Sequence, residues 1–304
     1  MDNTNNIFET KNLSISFRMY GKGFSQHLLK TISNLNIGVR EGEILAVAGS
    51  SGSGKSLLAH AALGILPKNA VIEGGMAWRG APLDAALHKR LRGREIALVP
   101  QSVAYLDPLI RVGRQISNDS QTVGRLFARY HLKPGTEKLF PHELSGGMTR
   151  RVMICAALAG GPKLVIADEP TPGLTPHLAE HAMRHFREIA DGGAGVILIT
   201  HDIDLAVRHA DRIAVLYAGT AAEVADASDF ADAALLRHPY SKALWAAMPQ
   251  NGFVAAAGAQ PYAGELPPGC LYAPRCPECS PECMAAPPQP RSVRGGEVSC
   301  CNAH

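Results

Sequence analysis

The 304-residue sequence lacks several features that would place it in common protein classes. No stretch approaches the roughly 20 consecutive apolar residues that cross a bilayer, and the polar residues 1–12 do not have the pattern of a signal peptide. A strong excess of one charge is also lacking, since a net charge of +3 is too small to indicate nucleic-acid binding. Charged residues make up only 19%, so we expect partners to cover part of the apolar surface. These absences predict a cytosolic protein that reaches a membrane only by docking.

Cysteine is almost absent before residue 270, where Cys155 is the only one. We interpret Cys155 as a small buried hydrophobic residue. A reducing cytosol disfavours a disulfide framework, and cysteine clusters in cytosolic proteins more often bind a metal. The sequence alone leaves an iron–sulfur cluster, a structural zinc or free thiols open. The clustered cysteines are Cys270, Cys276, Cys279, Cys283, Cys300 and Cys301.

A glycine-rich segment, GSSGSGKS at residues 49–56, follows the short apolar strand pattern ILAVA. It fits G-x-x-x-x-G-K-[ST], in which glycines let the backbone wrap so that its N–H groups face phosphate oxygens. The next helix starts near Lys55, where the helix dipole favours anions. We expect Lys55 to reach the β- and γ-phosphates and the Ser56 hydroxyl to bind Mg²⁺. The predicted nucleotide-binding residues of this segment are Gly49, Ser50, Ser51, Gly52, Ser53, Gly54, Lys55, Ser56 and Leu57.

A second apolar strand pattern, KLVIADEP at residues 163–170, ends in two carboxylates. Asp168 at the strand end is expected beside Mg²⁺, which prefers oxygen ligands. Glu169 is expected to orient or deprotonate the attacking water. Alone, the pattern fits a surface strand with an acidic turn equally well. After a phosphate-binding loop, it indicates ATP hydrolysis.

Further motifs follow in order: LVPQ ending at Gln101, HELSGGMTRRVMICAALA at 142–159, ILITHD containing His201, and RHPYSKALWAAMP at 237–249. With them the chain resembles the ATP-binding subunits of ABC transporters, from about residue 8 to residue 300. More narrowly, it is similar to the ATPases of dipeptide, oligopeptide and nickel importers. The resemblance implies ATP hydrolysis that powers uptake of peptides, nickel or metal chelates.

The resemblance also implies roles for single residues. Gln101 matches the glutamine that senses Mg²⁺ and the membrane partner, and His201 matches the histidine that contacts the γ-phosphate. Phe17, or less favourably Tyr20, would stack on adenine. The implied catalytic residues are thus Glu169, His201 and Gln101, and the implied Mg²⁺ ligands are Ser56, Gln101 and Asp168.

The signature residues Ser145, Gly146 and Gly147 imply a second ATPase subunit. A helix start with small residues is an anion site, and in the family it faces the γ-phosphate held by the other subunit. The implied partners are therefore a second ABC ATPase, giving a heterodimer, two membrane permeases and an extracytoplasmic substrate-binding protein, without nucleic acid. The implied location is the cytoplasmic face of the inner or plasma membrane, bound peripherally.

Two departures from the family pattern bear on activity. The family reads DEPTTALD where this chain reads DEPTPGLT, so Thr175 replaces an aspartate that contacts the opposite subunit. We hypothesise that the two ATP sites are unequal. The segment between Gln101 and Ser145 is also shorter than usual, which indicates either a lost surface turn or an altered socket for the permease.

The expected fold is α/β, because strand and helix patterns alternate. The resemblance makes it a P-loop NTPase (RecA-like) core with a parallel sheet and an antiparallel β subdomain, in residues 1–101 and 161–224. Residues 102–160 would form a helical subdomain with the signature, and residues 225–304 a small Cys-rich C-terminal extension. Local patterns predict strands at 13–17 and 35–40, a loop at 19–26, and a hairpin at 213–224.

In the family tail four cysteines recur, and Cys270, Cys276, Cys283 and Cys300 match them. Some members carry a [4Fe–4S] cluster there, which favours that cofactor, with Zn²⁺ and free thiols as alternatives. ATP and Mg²⁺ are the other implied cofactors. Two further functions stay open from the sequence: a non-hydrolysing or redox-regulated ABC subunit, and a soluble ABC-type ATPase.

Overall fold

The computed structural model describes residues 6–21, 25–255 and 258–304. The strands are β1 (Asn6–Tyr20), β2 (Gln26–Leu35), β3 (Gly38–Arg40), β4 (Ile44–Ala48), β5 (Ala70–Trp78), β6 (Ala81–Pro82), β7 (Ile96–Val99), β8 (Leu164–Asp168), β9 (Gly195–Thr200), β10 (Arg212–Tyr217), β11 (Thr220–Asp226), β12 (Arg291–Val293) and β13 (Gly296–Val298). The helices are α1 (Lys55–Ala62), α2 (Ala85–Leu91), α3 (Val112–Ile116), α4 (Ser120–Arg129), α5 (Gly146–Leu158), α6 (Pro176–Asp191), α7 (Ile203–His209), α8 (Pro239–Ala246) and α9 (Pro281–Ala285).

The main sheet has the strand order β12-β13-β11-β10-β4-β9-β8-β7. Its five strands from β10 to β7 are mutually parallel. Strands β4, β8 and β9 are buried along their whole length, as their apolar sequences require of a sheet covered on both faces. Ligand sites in such sheets lie beyond the carboxyl ends of the strands. The phosphate-binding segment, the two carboxylates and His201 all follow those ends.

A second, antiparallel sheet has the order β2-β1-β5-β6, and β3 pairs with β1. The strand predicted at 13–17 is the middle of the much longer β1. The loop predicted at 19–26 is shorter, because β1 continues to Tyr20 and β2 starts at Gln26; its residues 22–24 lie outside the described part. The strand predicted at 35–40 is also wrong in extent, since the chain leaves the sheet between β2 and β3.

The region between Gln101 and β8 is mainly helical, as the sequence predicted. The Asp119 carboxylate caps α4 by accepting hydrogen bonds from the Gln121 and Thr122 N–H groups. Helices α3, α4 and α5 share one hydrophobic cluster with the buried faces of β7, β8 and β9. The signature helix α5 is therefore packed directly on the core sheet. Among the described residues, no helix combines the length and apolarity needed to cross a bilayer.

The C-terminal part extends the main sheet at one edge. The predicted boundary at 224 falls inside β11, and β13 pairs with β11, so the tail adds two strands to the main sheet. A buried ionic network holds this addition in place. The Arg237 guanidinium lies 3.2 Å from the Glu223 carboxylate and 2.7 Å from that of Asp229, and it also donates to the Val293 carbonyl. The side chains of Arg237 and Glu223 are 3% and 0% exposed.

Replacing Arg237 with alanine should lower the free energy of unfolding by about 3–5 kcal/mol, because it leaves the buried Glu223 carboxylate without its cation. Urea denaturation measures this. The matched control is Arg79→Ala, which removes an exposed ion pair with Glu41 and should cost no more than about 1 kcal/mol. Equal losses in both variants would contradict the assignment.

Candidate functional site

The loop between β4 and α1 requires glycine at two positions. Gly49 has φ of 151°, and a Cβ there would lie 2.2 Å from the Leu216 carbonyl oxygen. Gly54 has φ of 93°, and its Cβ would lie 2.9 Å from Ile32 Cγ1. Other residues would clash and would disfavour these left-handed conformations. The loop is thus wedged between β10 and β2, which fixes the start of α1.

Lys55, the first residue of α1, is only 8% exposed. Its Nζ donates hydrogen bonds to the carbonyls of Gly49 at 2.8 Å and Ser50 at 2.9 Å. Burial lowers the pKa of Lys55, and the carboxylates of Glu169 and Asp168 partly offset this. The ammonium therefore lies inside the loop, within electrostatic range of two carboxylates.

Asp168, the last residue of β8, is buried beside α1. Burial raises its pKa, while a hydrogen bond from the Ser56 side chain lowers it. Its Oδ1 and the Ser53 Oγ are buried polar atoms without a hydrogen-bond partner among the described residues. The unpartnered Asp168 Oδ1 and the Ser56 hydroxyl, which hydrogen-bonds to the same carboxylate, supply the oxygen ligands that Mg²⁺ prefers. The residues present therefore fit a magnesium ion bound by Ser56 and Asp168.

Glu169 has a left-handed backbone conformation, with φ of 49°. Such a conformation costs on the order of 1 kcal/mol in a non-glycine residue and is often found at functional sites. Two contacts hold it: the Glu169 N–H donates to the Ile199 carbonyl at 2.9 Å, and the carboxylate lies 2.7 Å from His201 Nδ1. The His201 side chain is 69% exposed. The two predicted catalytic groups thus form a pair that opens toward solvent.

Gln101, the third predicted catalytic residue, follows β7 and has an exposed side chain. Its carbonyl and that of Pro100 accept hydrogen bonds from the Arg150 guanidinium of α5, at 2.8 Å and 2.7 Å. Sequence reasoning missed Arg150. Its signal was the adjacent pair Arg150 and Arg151 in the signature helix, which could not be distinguished from surface charge.

Ser145 and Gly146 of the signature are exposed, and Gly147 is half-buried. Ser145 caps α5 by accepting from the Met148 N–H, and beyond the chain neighbours and backbone of α5 no described atom lies within 4 Å of where a Gly146 Cβ would be. A Gly147 Cβ would lie 3.2 Å from the Gly173 carbonyl of the segment that precedes Thr175. Thr175 is exposed, and its side chain makes no capping bond to α6 within the described chain. Both segments are thus open to another subunit.

The remaining predicted nucleotide contacts are the adenine-stacking candidates Phe17 and Tyr20, and Leu57 of α1. Phe17 is half-buried in β1 and packs against the core cluster between β2 and β5. Tyr20 is exposed at the end of the same strand. Leu57 is partly buried against the core cluster. A role for these three residues in nucleotide binding stays a prediction.

The C-terminal part also reaches the phosphate-binding segment, which the sequence did not indicate. The Tyr240 hydroxyl of α8 accepts the Ser50 N–H at 3.2 Å, and the Ser50 hydroxyl donates to Gln260 Oε1 at 2.7 Å. Both contacts come from segments far along the chain, so only the folded structure reveals them.

The cysteines do not support the predicted metal site. Among the described residues, no group of three or more His, Cys, Asp or Glu side chains is arranged to hold a metal ion. Cys270, Cys283 and Cys300 are buried. Burial raises the pKa of Cys270 and Cys300, and it raises that of Cys276 to about 11. The described residues therefore do not support the prediction of [4Fe–4S] or zinc ligands at Cys270, Cys276, Cys283 and Cys300. Cys155 is buried, as expected.

Family profiles match two parts of the chain. The ABC transporter profile matches residues 32–172, and the profile of the oligopeptide/dipeptide transporter C-terminal region matches residues 222–283. The first match contains the segment 49–56, the signature and the two carboxylates, and the second contains α8 and Gln260.

Three curated relatives align along most of the chain. A putative peptide import ATP-binding protein of Brucella melitensis is 34% identical, over 97% of this chain and 94% of its own length. The oligopeptide transport ATP-binding protein OppD of Mycobacterium tuberculosis is 33% identical, over 97% and 51%. OppD of Escherichia coli is 33% identical, over 88% and 86%.

Among solved structures, a dimeric ATP-binding cassette in a post-hydrolysis state with ADP and Pi superposes with a TM-score of 0.64 at 25% identity, covering 72% of this chain and 98% of its own. A second, described as the ATP-binding subunit of an ABC transporter, gives a TM-score of 0.60 at 25% identity, with 74% and 91% coverage.

Replacing Asp168 with asparagine should stabilise the nucleotide-free protein at pH 7 by on the order of 1 kcal/mol, because it removes a buried charge. The raised pKa means that the folded state holds the Asp168 proton more tightly than the unfolded state. The carboxylate therefore destabilises the fold above its folded-state pKa, and this effect vanishes below the ordinary value of 3.8.

Urea denaturation of the parent and Asp168→Asn proteins across this pH range tests the prediction. We expect the stability difference to shrink as the pH falls. A parent that is the more stable protein at pH 7 would contradict it.

Proposed function

We propose that this chain, which belongs to the ABC transporter family as an ATP-binding subunit that hydrolyses ATP, powers peptide import. The observation that carries the proposal is the full-length similarity to peptide import ATP-binding proteins together with the transporter C-terminal match at residues 222–283. The similarity along the chain establishes the ATPase family, and the C-terminal match favours peptides as the transported substrate.

The loop at 49–56 would bind the triphosphate through its N–H groups and the dipole of α1. The Lys55 ammonium would exchange its bonds to the Gly49 and Ser50 carbonyls for phosphate oxygens, which are stronger acceptors. Ser56 and Asp168 would hold Mg²⁺ directly or through water, with Gln101 as a further ligand. When bound, the ion neutralises charge on the β- and γ-phosphates.

Glu169 is the proposed base for the attacking water. Its strained backbone and its bond to His201 fix the carboxylate one residue beyond the metal-binding Asp168. In this role His201 orients the carboxylate while its exposed ring stays able to approach the γ-phosphate. A positioned base of this kind contributes about 10²–10⁴-fold to the rate.

A second ATPase subunit would complete the site. Ser145, Gly146 and Gly147 form an open helix start, and the family resemblance implies that the phosphate bound there is held by a partner subunit. ATP would then stabilise the closed pair, and hydrolysis would release it. Because Thr175 is exposed and uncharged at this surface, we propose that the partner is a different chain with unequal coupling.

The membrane subunits would bind beside Gln101. Large apolar side chains are exposed directly after it, and such patches mark interaction sites. We propose that this surface binds a permease, which would place the chain peripherally on the cytoplasmic face of the membrane, with an extracytoplasmic binding protein supplying substrate. The exposed apolar residues are Val103, Tyr105, Leu109 and Ile110.

Peptide is the proposed cargo because the three relatives described above are all named for peptide transport. No observation favours nickel or a metal chelate, and the thiols of the tail show no ligand group among the described residues. The similarity to transport ATPases along the whole chain also disfavours a non-hydrolysing subunit and a soluble ABC-type ATPase.

Glu169→Gln should lower the rate of ATP hydrolysis by roughly 10²-fold or more while ATP still binds. Lys55→Ala should lose ATP binding itself. Hydrolysis is measured as phosphate release, and binding as nucleotide affinity, on the transporter complex purified through a tag on this chain. The matched control is Glu180→Gln, on the surface of α6, where the carboxylate pairs with Arg208 and His209. Hydrolysis by Glu169→Gln at the parental rate would refute its assignment as the base.

Uptake of labelled short peptides should stop in cells whose only copy of the chain carries Glu169→Gln, and it should continue with Glu180→Gln. Uptake of radioactive nickel, measured in the same cells, is expected to be equal for both. Loss of nickel uptake with intact peptide uptake would overturn the peptide assignment and leave the ATPase assignment standing.

A further inference from the structure

Arg150 is a buried cation outside the predicted site, only 7% exposed, on the second turn of the signature helix α5. We infer that Arg150 is a positioning residue that fixes the orientation of Gln101 and connects it to the signature helix. Gln101, the proposed metal ligand, and the signature residues that would bind the partner subunit's phosphate then move as one unit. The inference rests on the proposed roles of Gln101 and of the signature.

The geometry carries the inference. Arg150 Nη1 donates to the Pro100 carbonyl at 2.7 Å, and Nη2 donates to the Gln101 carbonyl at 2.8 Å. These two carbonyls belong to the peptide planes on either side of the Gln101 Cα. A planar guanidinium that holds both planes fixes φ and ψ of Gln101. The direction of the Cα–Cβ bond is then also fixed, although the side chain itself is exposed.

The charge of Arg150 makes this connection hard to break. Burial lowers the pKa of the guanidinium, and the nearby Glu169 and Asp168 carboxylates partly offset the effect. The cation is therefore within electrostatic range of the proposed base and metal ligand. A shift of α5 that did not carry the Gln101 segment would leave a buried cation without its acceptors, which is strongly unfavourable.

The next residue provides a natural comparison. Arg151 Nη1 donates to the carbonyls of Tyr130 and His131, both at 3.0 Å, at the end of α4. Adjacent arginines on one helix thus each hold two consecutive carbonyls, but only Arg150 holds those at Gln101. A purely structural role would make the two residues equivalent in any measurement of metal binding.

The test is the gain in ATP affinity that Mg²⁺ provides, measured on the purified full chain with a fluorescent ATP analogue in EDTA and in excess Mg²⁺. Arg150→Gln should leave the Kd in EDTA unchanged and should reduce the Mg²⁺-dependent gain by roughly 10-fold, as loss of a group that orients a metal ligand does. Gln101→Ala should reduce the gain similarly. Arg151→Gln should keep the parental gain.

The double variant Gln101→Ala/Arg150→Gln gives the sharpest outcome. If Arg150 acts through Gln101, the double variant loses no more of the gain than the worse single variant. Arg150→Lys, which keeps the charge and can donate to one carbonyl at a time, should fall between the parent and Arg150→Gln and serves as the test if the glutamine variant does not fold.

A gain within about twofold of the parent in both Arg150 variants, or additive losses in the double variant, would overturn the inference. An equal loss in Arg151→Gln would also overturn it, because the effect would then be general to α5. Failure of the parent chain to bind ATP would instead contradict the proposed function, so the two failures are distinguishable.

Discussion

The arrangement of Lys55 opposite Asp168 and Glu169 is the interaction on which the rest of the site depends. All three residues are buried at the carboxyl edge of the parallel sheet. Burial disfavours the charged forms of Lys55 and Asp168, and opposite charges together with the Ser56 hydrogen bond to Asp168 partly offset this. Such a cluster costs stability in the free protein, and it is favourable when a polyanion and a divalent cation join it. The fold thus holds these charges in a geometry suited to a metal-bound triphosphate.

The surrounding structure restricts how this cluster can move. The loop at 49–56 lies against β10 and β2 at Gly49 and Gly54, and the tail contacts it at Ser50. The tail is in turn held to the main sheet by the buried Arg237 network. The C-terminal region is therefore part of the support of the nucleotide site, and two hydrogen bonds among the described residues join it to Ser50. Arg150 supports the site in a similar way, because it holds the Gln101 segment to α5.

Much of the site could be predicted from the sequence because the chemistry determines the local pattern. The loop at 49–56 needs glycine and lysine at fixed spacing, and a buried strand ending in Asp168 produces a recognisable apolar run. Strand β8 and the hairpin of β10 and β11 lie where the patterns place them. The hairpin turn forms at Ala218 and Gly219, which both adopt positive φ. The ABC transporter resemblance is confirmed by the relatives and by the fold.

The errors arise where distant segments determine the outcome. Strand β2 has mixed polarity and exists because it pairs with β1, which no local pattern reveals. Strands β12 and β13 have three residues each and form because β13 pairs with β11 and β12 pairs with β13. The metal predicted from the cysteine spacing is not supported, because no group of three or more His, Cys, Asp or Glu side chains among the described residues is arranged to hold one.

The most direct test of the central claim is the denaturation midpoint of the full chain with saturating ATP and Mg²⁺. Ligand at 100 times its Kd stabilises a protein by about 2.7 kcal/mol, so the midpoint should rise clearly in the parent and stay unchanged in Lys55→Ala. An unchanged parent midpoint, or an equal rise in Lys55→Ala, would contradict the account.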